Sequence, residues 1–330
     1  MKRQEERFCD AQEMLRALQD IHAIDGRYKK VVHSQRVVAA VSLVLAVSGT
    51  LAILFGVQRI GVERYAAYDA LVWKGRTAAD EMRFDEAEQD LQQAIAIYDD
   101  QLEAYVEQAV LLYRQGKYQE CIDAVETTQS RELKYYSRQS VANLYNVAAE
   151  AYYELESYES AAMMYQKAIG YSPDILSYYQ GEATALIQLG DYSGADEVLA
   201  EMVKAVPDAE QSGAYQVVQS ELLRKQGDLP DALDAARKAI GSADGNDQLA
   251  RAYRLAASIC EDIGDSMLSE EINLLNQGIE QLPDGYYNAL AGQLASAYIR
   301  QAEATGNPGY QKDALRTYQQ LEKNGNTTLE

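Results

Sequence analysis

Few residues in this chain could do covalent or metal chemistry, and their placement argues against most of it. The two histidines, His22 and His33, both precede an uncharged stretch at 37–57. Everything after that stretch lacks histidine, which removes Ser–His and Cys–His nucleophile pairs and the commonest metal ligand. Cys9, Cys121 and Cys260 lie far apart with no CxxC, so no zinc site is expected; they read as small apolar residues within helices. Acid pairs such as Asp99–Asp100 and Glu270–Glu271 read as solvated helix faces, since hydrolysis by paired carboxylates needs a concave site with one perturbed acid. There is no P-loop and no GxGxxG motif after a strand. No catalytic residue, cofactor or metal ligand is therefore expected, and binding is the chemistry left.

Charge narrows the binding partner. Residues 1–36 carry 8 Lys/Arg against 6 Asp/Glu, while 58–330 carry 22 against 45, a net of −23. Such an acidic segment repels a phosphate backbone, so nucleic acid is disfavoured and a protein or peptide, particularly a basic one, is expected.

The elements that must position a binding surface come in two kinds. Residues 37–57, VVAAVSLVLAVSGTLAILFGV, are 21 uncharged residues, and about 20 suffice to cross a bilayer as a helix. A cleaved signal peptide would have a shorter apolar core and a leader shorter than 36 residues. Arg27, Lys29, Lys30 and Arg36 stand before the stretch, and Arg59 and Arg64, with Glu63 between them, stand after it. That bias favours a cytoplasmic N-terminus and an exported C-terminal region.

The second kind is a repeat. A polar or glycine-containing turn precedes an aromatic or Leu, with Ala three residues on: Phe84/Ala87, Tyr118/Cys121, Tyr158/Ala161, Tyr192/Ala195 and Leu229/Ala232. The first residues of these pairs are spaced by 34, 40, 34 and 37. In the clearest unit, Tyr145, Ala148, Ala149 and Tyr152 share one helical face, Tyr158, Ala161, Tyr165 and Ala168 the next, and Pro173 closes it. Small residues let antiparallel helices approach closely while aromatics fill the gaps. A sixth unit has Ser269 or Glu271 where Ala is expected, and a seventh opens its second helix after a long turn, ATGNPGY.

This pattern resembles the tetratricopeptide repeat. The resemblance implies an all-α chain: a single transmembrane helix, then an α-solenoid of about seven helix pairs. The expected divisions are a juxtamembrane segment at 1–36, the span at 37–57, a short linker at 58–65, the array at 66–324 and a tail at 325–330. In that family the first helix of each pair lines a concave groove. Transferred to the matching repeats, the groove positions are Val110, Tyr113 and Arg114; Asn143, Asn146, Glu150 and Tyr153; and Gln180, Thr184 and Ile187. Tyrosines supply contact area and amides bond peptide backbone, so a clasped peptide or protein segment is expected. Tyr113 and Tyr153 could equally pack between repeats.

Before the span, Arg7, Phe8, Ala11, Met14, Leu15 and Leu18 form an amphipathic stripe. The string RF-x-x-A-x-E-M-L-x-A-L, followed by a basic stretch and a span, resembles the last helix of a bacterial receptor-type serine/threonine kinase. No Gly-rich loop, lysine strand or catalytic-loop aspartate of kinases occurs in the chain, so no kinase activity is expected. By that resemblance the array would be the outer sensory region of such a receptor.

Overall fold

A computed structural model describes residues 10–24 and 26–324. Arg7, Phe8, Cys9 and the expected tail at 325–330 lie outside the described residues. Among those described, regular structure is entirely helical: fifteen α-helices with short 3-10 turns. Packing divides the chain into two units at Asp69/Ala70.

In the first unit, α1 (Ala11–Ile24) presents the expected stripe, with Met14, Leu15, Leu18 and Ile21 exposed. Next comes α2 (Gly26–Asp80), which runs unbroken through 58–65. The linker expected there is therefore helix, because 58–65 contains no Pro and its one Gly is tolerated within a helix. An 18-residue window of α2 has mean hydropathy 2.5, and none of it is buried. Ser48 and Thr50 return their hydroxyls to the backbone carbonyls of Leu45 and Ala46, which spares those groups a search for other partners.

The second unit stacks helix pairs. The last turns of α2 pair with α3 (Phe84–Ile97). Then follow α4 (Leu102–Arg114) with α5 (Tyr118–Gln129), α6 (Arg138–Glu154) with α7 (Tyr158–Tyr171), and α8 (Leu176–Leu189) with α9 (Tyr192–Ala205). Last come α10 (Gly213–Gln226) with α11 (Leu229–Gly241), α12 (Asn246–Ile263) with α13 (Leu268–Gln281), and α14 (Tyr287–Thr305) with α15 (Pro308–Lys323). The expected count of seven pairs holds.

The small signature residues are where the helices meet. Ala87, Cys121, Ala161, Ala195 and Ala232 are all fully buried. Gly181 is required: a Cβ there would lie 2.3 Å from Cζ of Tyr165, so the ring of α7 rests against the α8 backbone. The turn inside each of the first five pairs places one left-handed residue five positions before the signature small residue. Those residues are Met82, Gly116, Glu156, Gly190 and Gly227. Glycine takes that conformation freely; Met82 and Glu156 adopt it against the ordinary penalty of about 1–2 kcal/mol.

Two expectations change in the outer pairs. The solvated reading of Glu271 fails, because Glu271 itself occupies the small-residue position and is 1% exposed, while Ser269 faces outward. Its Oε1 accepts from Nη2 of Arg300 on α14 at 2.5 Å, and Oε2 has no partner among the described residues. The long turn expected before the last helix shortens to Gly306 and Asn307, since α14 extends to Thr305 and Asn307 caps α15 through the N–H of Gly309.

Candidate functional site

The first helices of the second and third pairs enclose a cavity of about 280 Å³, lined from α4 by Val106, Glu107, Val110, Tyr113 and Arg114 and from α6 by Asn143, Asn146, Val147 and Glu150. Groove positions expected from sequence thus converge there: Val110, Tyr113, Arg114, Asn143, Asn146 and Glu150. The helical period explains the convergence, since each set repeats at three- and four-residue intervals on one face.

Polar groups in the cavity are held in defined states. Asn143 Oδ1 accepts from Gln139 Nε2 and from the Tyr178 hydroxyl, each at 2.8 Å. Asn146 Nδ2 donates to Glu150 Oε1 at 2.9 Å. Glu107 accepts from Arg76 Nη2 at 2.5 Å, and the same guanidinium reaches Glu103 at 3.0 Å. Arg114 turns to Asp80 at 2.6 Å. Burial holds the Glu150 carboxyl above the ordinary carboxylate range; the Asn146 bond opposes this and the neighbouring Glu154 adds to it. Burial, then Glu150 and Glu154, pushes the Tyr113 phenol up. That ring also packs on Tyr118, with centroids 5.5 Å apart, so it lines the cavity and braces the turn at once.

The remaining positions are not gathered with these. Tyr153 packs edge-on against Tyr158 at 5.2 Å, joining a core cluster with Ala161 and Ala185. Gln180 is half-buried, outside the cavity lining. Thr184 and Ile187 are corrections: both are buried, and Ile187 belongs to a cluster with Ala214, Val218 and Leu222 of α10. There α10 packs on α8 and covers Ile187. Sequence reasoning missed Val106, Glu107 and Val147. Val106 sits four residues before Val110 on the same face, which is a legible signal. The signal for Glu107 is Arg76, one pair earlier.

Elsewhere, an apolar cavity of about 480 Å³ lies between the α10–α11 and α12–α13 turns, lined by Leu229, Pro230, Leu233, Ile263 and Met267 among others. Among the described residues no group of three or more His, Cys, Asp or Glu is placed to hold a metal ion.

Comparison with known proteins agrees with this fold. A tetratricopeptide repeat family model matches residues 74–131, 146–210 and 181–247. The fold is similar to a tetratricopeptide repeat protein from Parabacteroides merdae, at 17% identity and a TM-score of 0.52, covering 76% of this chain and 98% of that one. It is also similar to yeast Tom70, at 15% identity and a TM-score of 0.52, covering 72% of this chain and 49% of that one. No curated protein matches the chain in sequence. By model match over residues 74–131 and 146–247, and by fold, the second unit contains tetratricopeptide-type repeats stacked as a solenoid.

Proposed function

We propose that this chain is a membrane-anchored interaction scaffold that binds a peptide or protein segment in the groove of its repeats. The observation that carries the groove reading is the cavity where Val110, Tyr113, Asn143, Asn146 and Glu150 meet. It joins apolar walls to amide groups that still have bonding capacity, a combination suited to an extended chain. Tetratricopeptide repeats mediate protein–protein interaction, which agrees with that use. The anchor reading rests on the wholly exposed apolar run within α2: an unburied run of that length costs dearly in water and nothing in hydrocarbon. The flanking cations favour a cytoplasmic N-terminus and an extracytoplasmic array.

Two measurements test these readings. Pull-down with the full chain in detergent should recover a protein whose binding is lost on Asn146→Ala with Tyr113→Ala; unchanged capture by that variant argues against the groove. Protease added to intact cells should remove the array while sparing residues 1–36. Protection of the array would reverse the orientation, and release of the chain by high salt without detergent would end the anchor reading.

A second reading is favoured by α1, whose exposed stripe of Met14, Leu15, Leu18 and Ile21 lacks a covering surface among the described residues. In that reading α1 closes a kinase-like catalytic domain, and the array is its outer sensory part. Reading the gene upstream of Met1 tests it: an in-frame kinase domain supports the reading, and an unrelated neighbour with its own stop codon removes it.

A further inference from the structure

The cavity between α4 and α6 contains three charged groups besides its apolar walls, and two of them are already neutralised within the chain. Glu107 is held by Arg76 and Arg114 by Asp80. Glu150 is different: its bond is to the neutral amide of Asn146, and among the described residues no cation lies within salt-bridge distance of it. The neighbouring carboxylate of Glu154 adds like charge. A partly buried carboxylate beside a second one is unfavourable by itself, because desolvation and like charge act together. Val106, Val110, Val147 and Tyr113 line the same cavity. The rim is complementary to a peptide backbone. Asn143 has its carbonyl engaged by two donors and keeps its N–H groups, while Asn146 has an N–H engaged and keeps its carbonyl.

We propose that this cavity is a subsite for one cationic side chain, lysine or arginine, of an extended partner segment, with Glu150 as the recognising carboxylate. The proposal rests on the groove reading and specifies its ligand chemistry. An aliphatic stem lies along the valines, as long basic side chains do on apolar surface. The head replaces the countercharge that Glu150 lacks. Tyr113 brings an aromatic ring to the same cavity, where it attracts a cation, and Asn143 and Asn146 bond the C=O and N–H of the peptide residue. The acidity of the array, a net −23 over 58–330, would draw such a segment in before contact.

The test uses the full chain in detergent micelles and a displayed library of random twelve-residue peptides. Peptides that bind are remade with each lysine replaced by norleucine and each arginine by citrulline, which keep shape and remove charge. Expected is one basic position whose neutral replacement weakens binding about ten- to a hundred-fold, as for a hydrogen bond to a charged group. Glu150→Gln should bring the charged and neutral peptides to equal affinity while melting no lower than the parent, because a neutral amide costs less to bury. Glu120→Gln, on the exposed face of α5, should leave the discrimination intact. A photo-reactive residue in the peptide should cross-link to α4 and α6. If cross-links fall there but neutral replacements cost less than two-fold, or Glu150→Gln keeps the discrimination, the cation subsite is overturned and the groove reading stands. Cross-links elsewhere, or a library yielding no binder, would overturn both.

Discussion

Removing Arg300 should expose how the sixth helix pair tolerates a carboxylate at a position built for a small residue. In Arg300→Met the stem is kept and the guanidinium that meets Glu271 at 2.5 Å is lost. The Glu271 side chain is 2% exposed and that of Arg300 30%, so the cost falls below the 3–5 kcal/mol typical of breaking a fully buried pair. Glu271 has one escape, which is to take a proton. From the ordinary value of 4.5 that costs about 3.4 kcal/mol at pH 7 and about 0.8 kcal/mol at pH 5. The loss is therefore capped by pH, and we expect about 2 kcal/mol at pH 7 and under 1 kcal/mol at pH 5. Burial already raises the Glu271 carboxyl, against the opposing bond and charge of Arg300, and the variant raises it further. A raised carboxyl stabilises the fold fully below its unfolded value and loses that contribution as pH rises through the folded one. The array is a stack in which each pair meets only its neighbours, so the readout should be local. Amide hydrogen exchange of the full chain in detergent, compared with the parent over 246–305, should quicken about thirty-fold at pH 7 and less than about four-fold at pH 5. Adding Glu271→Gln to Arg300→Met should recover most of the protection. Equal acceleration at both pH values, or no recovery in the double variant, would refute the buried-charge argument.

Three further outcomes follow from the packing. Gly181→Ala should destabilise the middle repeats by about 2 kcal/mol in urea unfolding, since overpacking against Tyr165 outweighs the roughly 1 kcal/mol that alanine gains over glycine in a helix; a more stable variant would show that the ring moves freely. Burial and then Glu201 push the Glu182 carboxyl up to about 7. Its stabilising contribution is thus full below the ordinary 4.5 and lost as pH rises through about 7. Thermal stability should fall between pH 5 and 8, and Glu182→Gln should flatten that slope; an unchanged slope places its origin elsewhere. Burial pushes the Cys121 and Cys260 thiols up to about 12 and about 11, so neither should alkylate at pH 8 until denaturant is added. Rapid native labelling of either would mean that the helix interfaces open far more often than their burial implies.

The repeat was legible because close helix approach admits few residue types. Ala87, Cys121, Ala161, Ala195 and Ala232 recur at their spacing since nothing larger fits where they are buried. Where the chain breaks that rule, Glu271 and Ser269 are indistinguishable by spacing, because no single-sequence pattern anticipates a buried acid whose partner lies 29 residues on. The left-handed turn residue was visible at Gly116, Gly190 and Gly227 and invisible at Met82 and Glu156, which carry the same conformation without glycine's signal. The candidate groove divides in the same way. The α4 positions taken from the family resemblance line one cavity with Asn143, Asn146 and Glu150 of α6, whereas Tyr153 of α6 packs on Tyr158 instead. Thr184 and Ile187 obey the same helical period yet are buried, Ile187 beneath α10, and how closely successive first helices approach is written in no one repeat. The sign of the cavity is equally non-local. Overall acidity, a net −23 over 58–330, does not say where in the array the charge is left uncancelled. Arg114, which lines the cavity, is bound to Asp80, and Glu107 of the lining is bound to Arg76. Pairing, rather than composition, thus isolates Glu150 as the carboxylate open to an external cation.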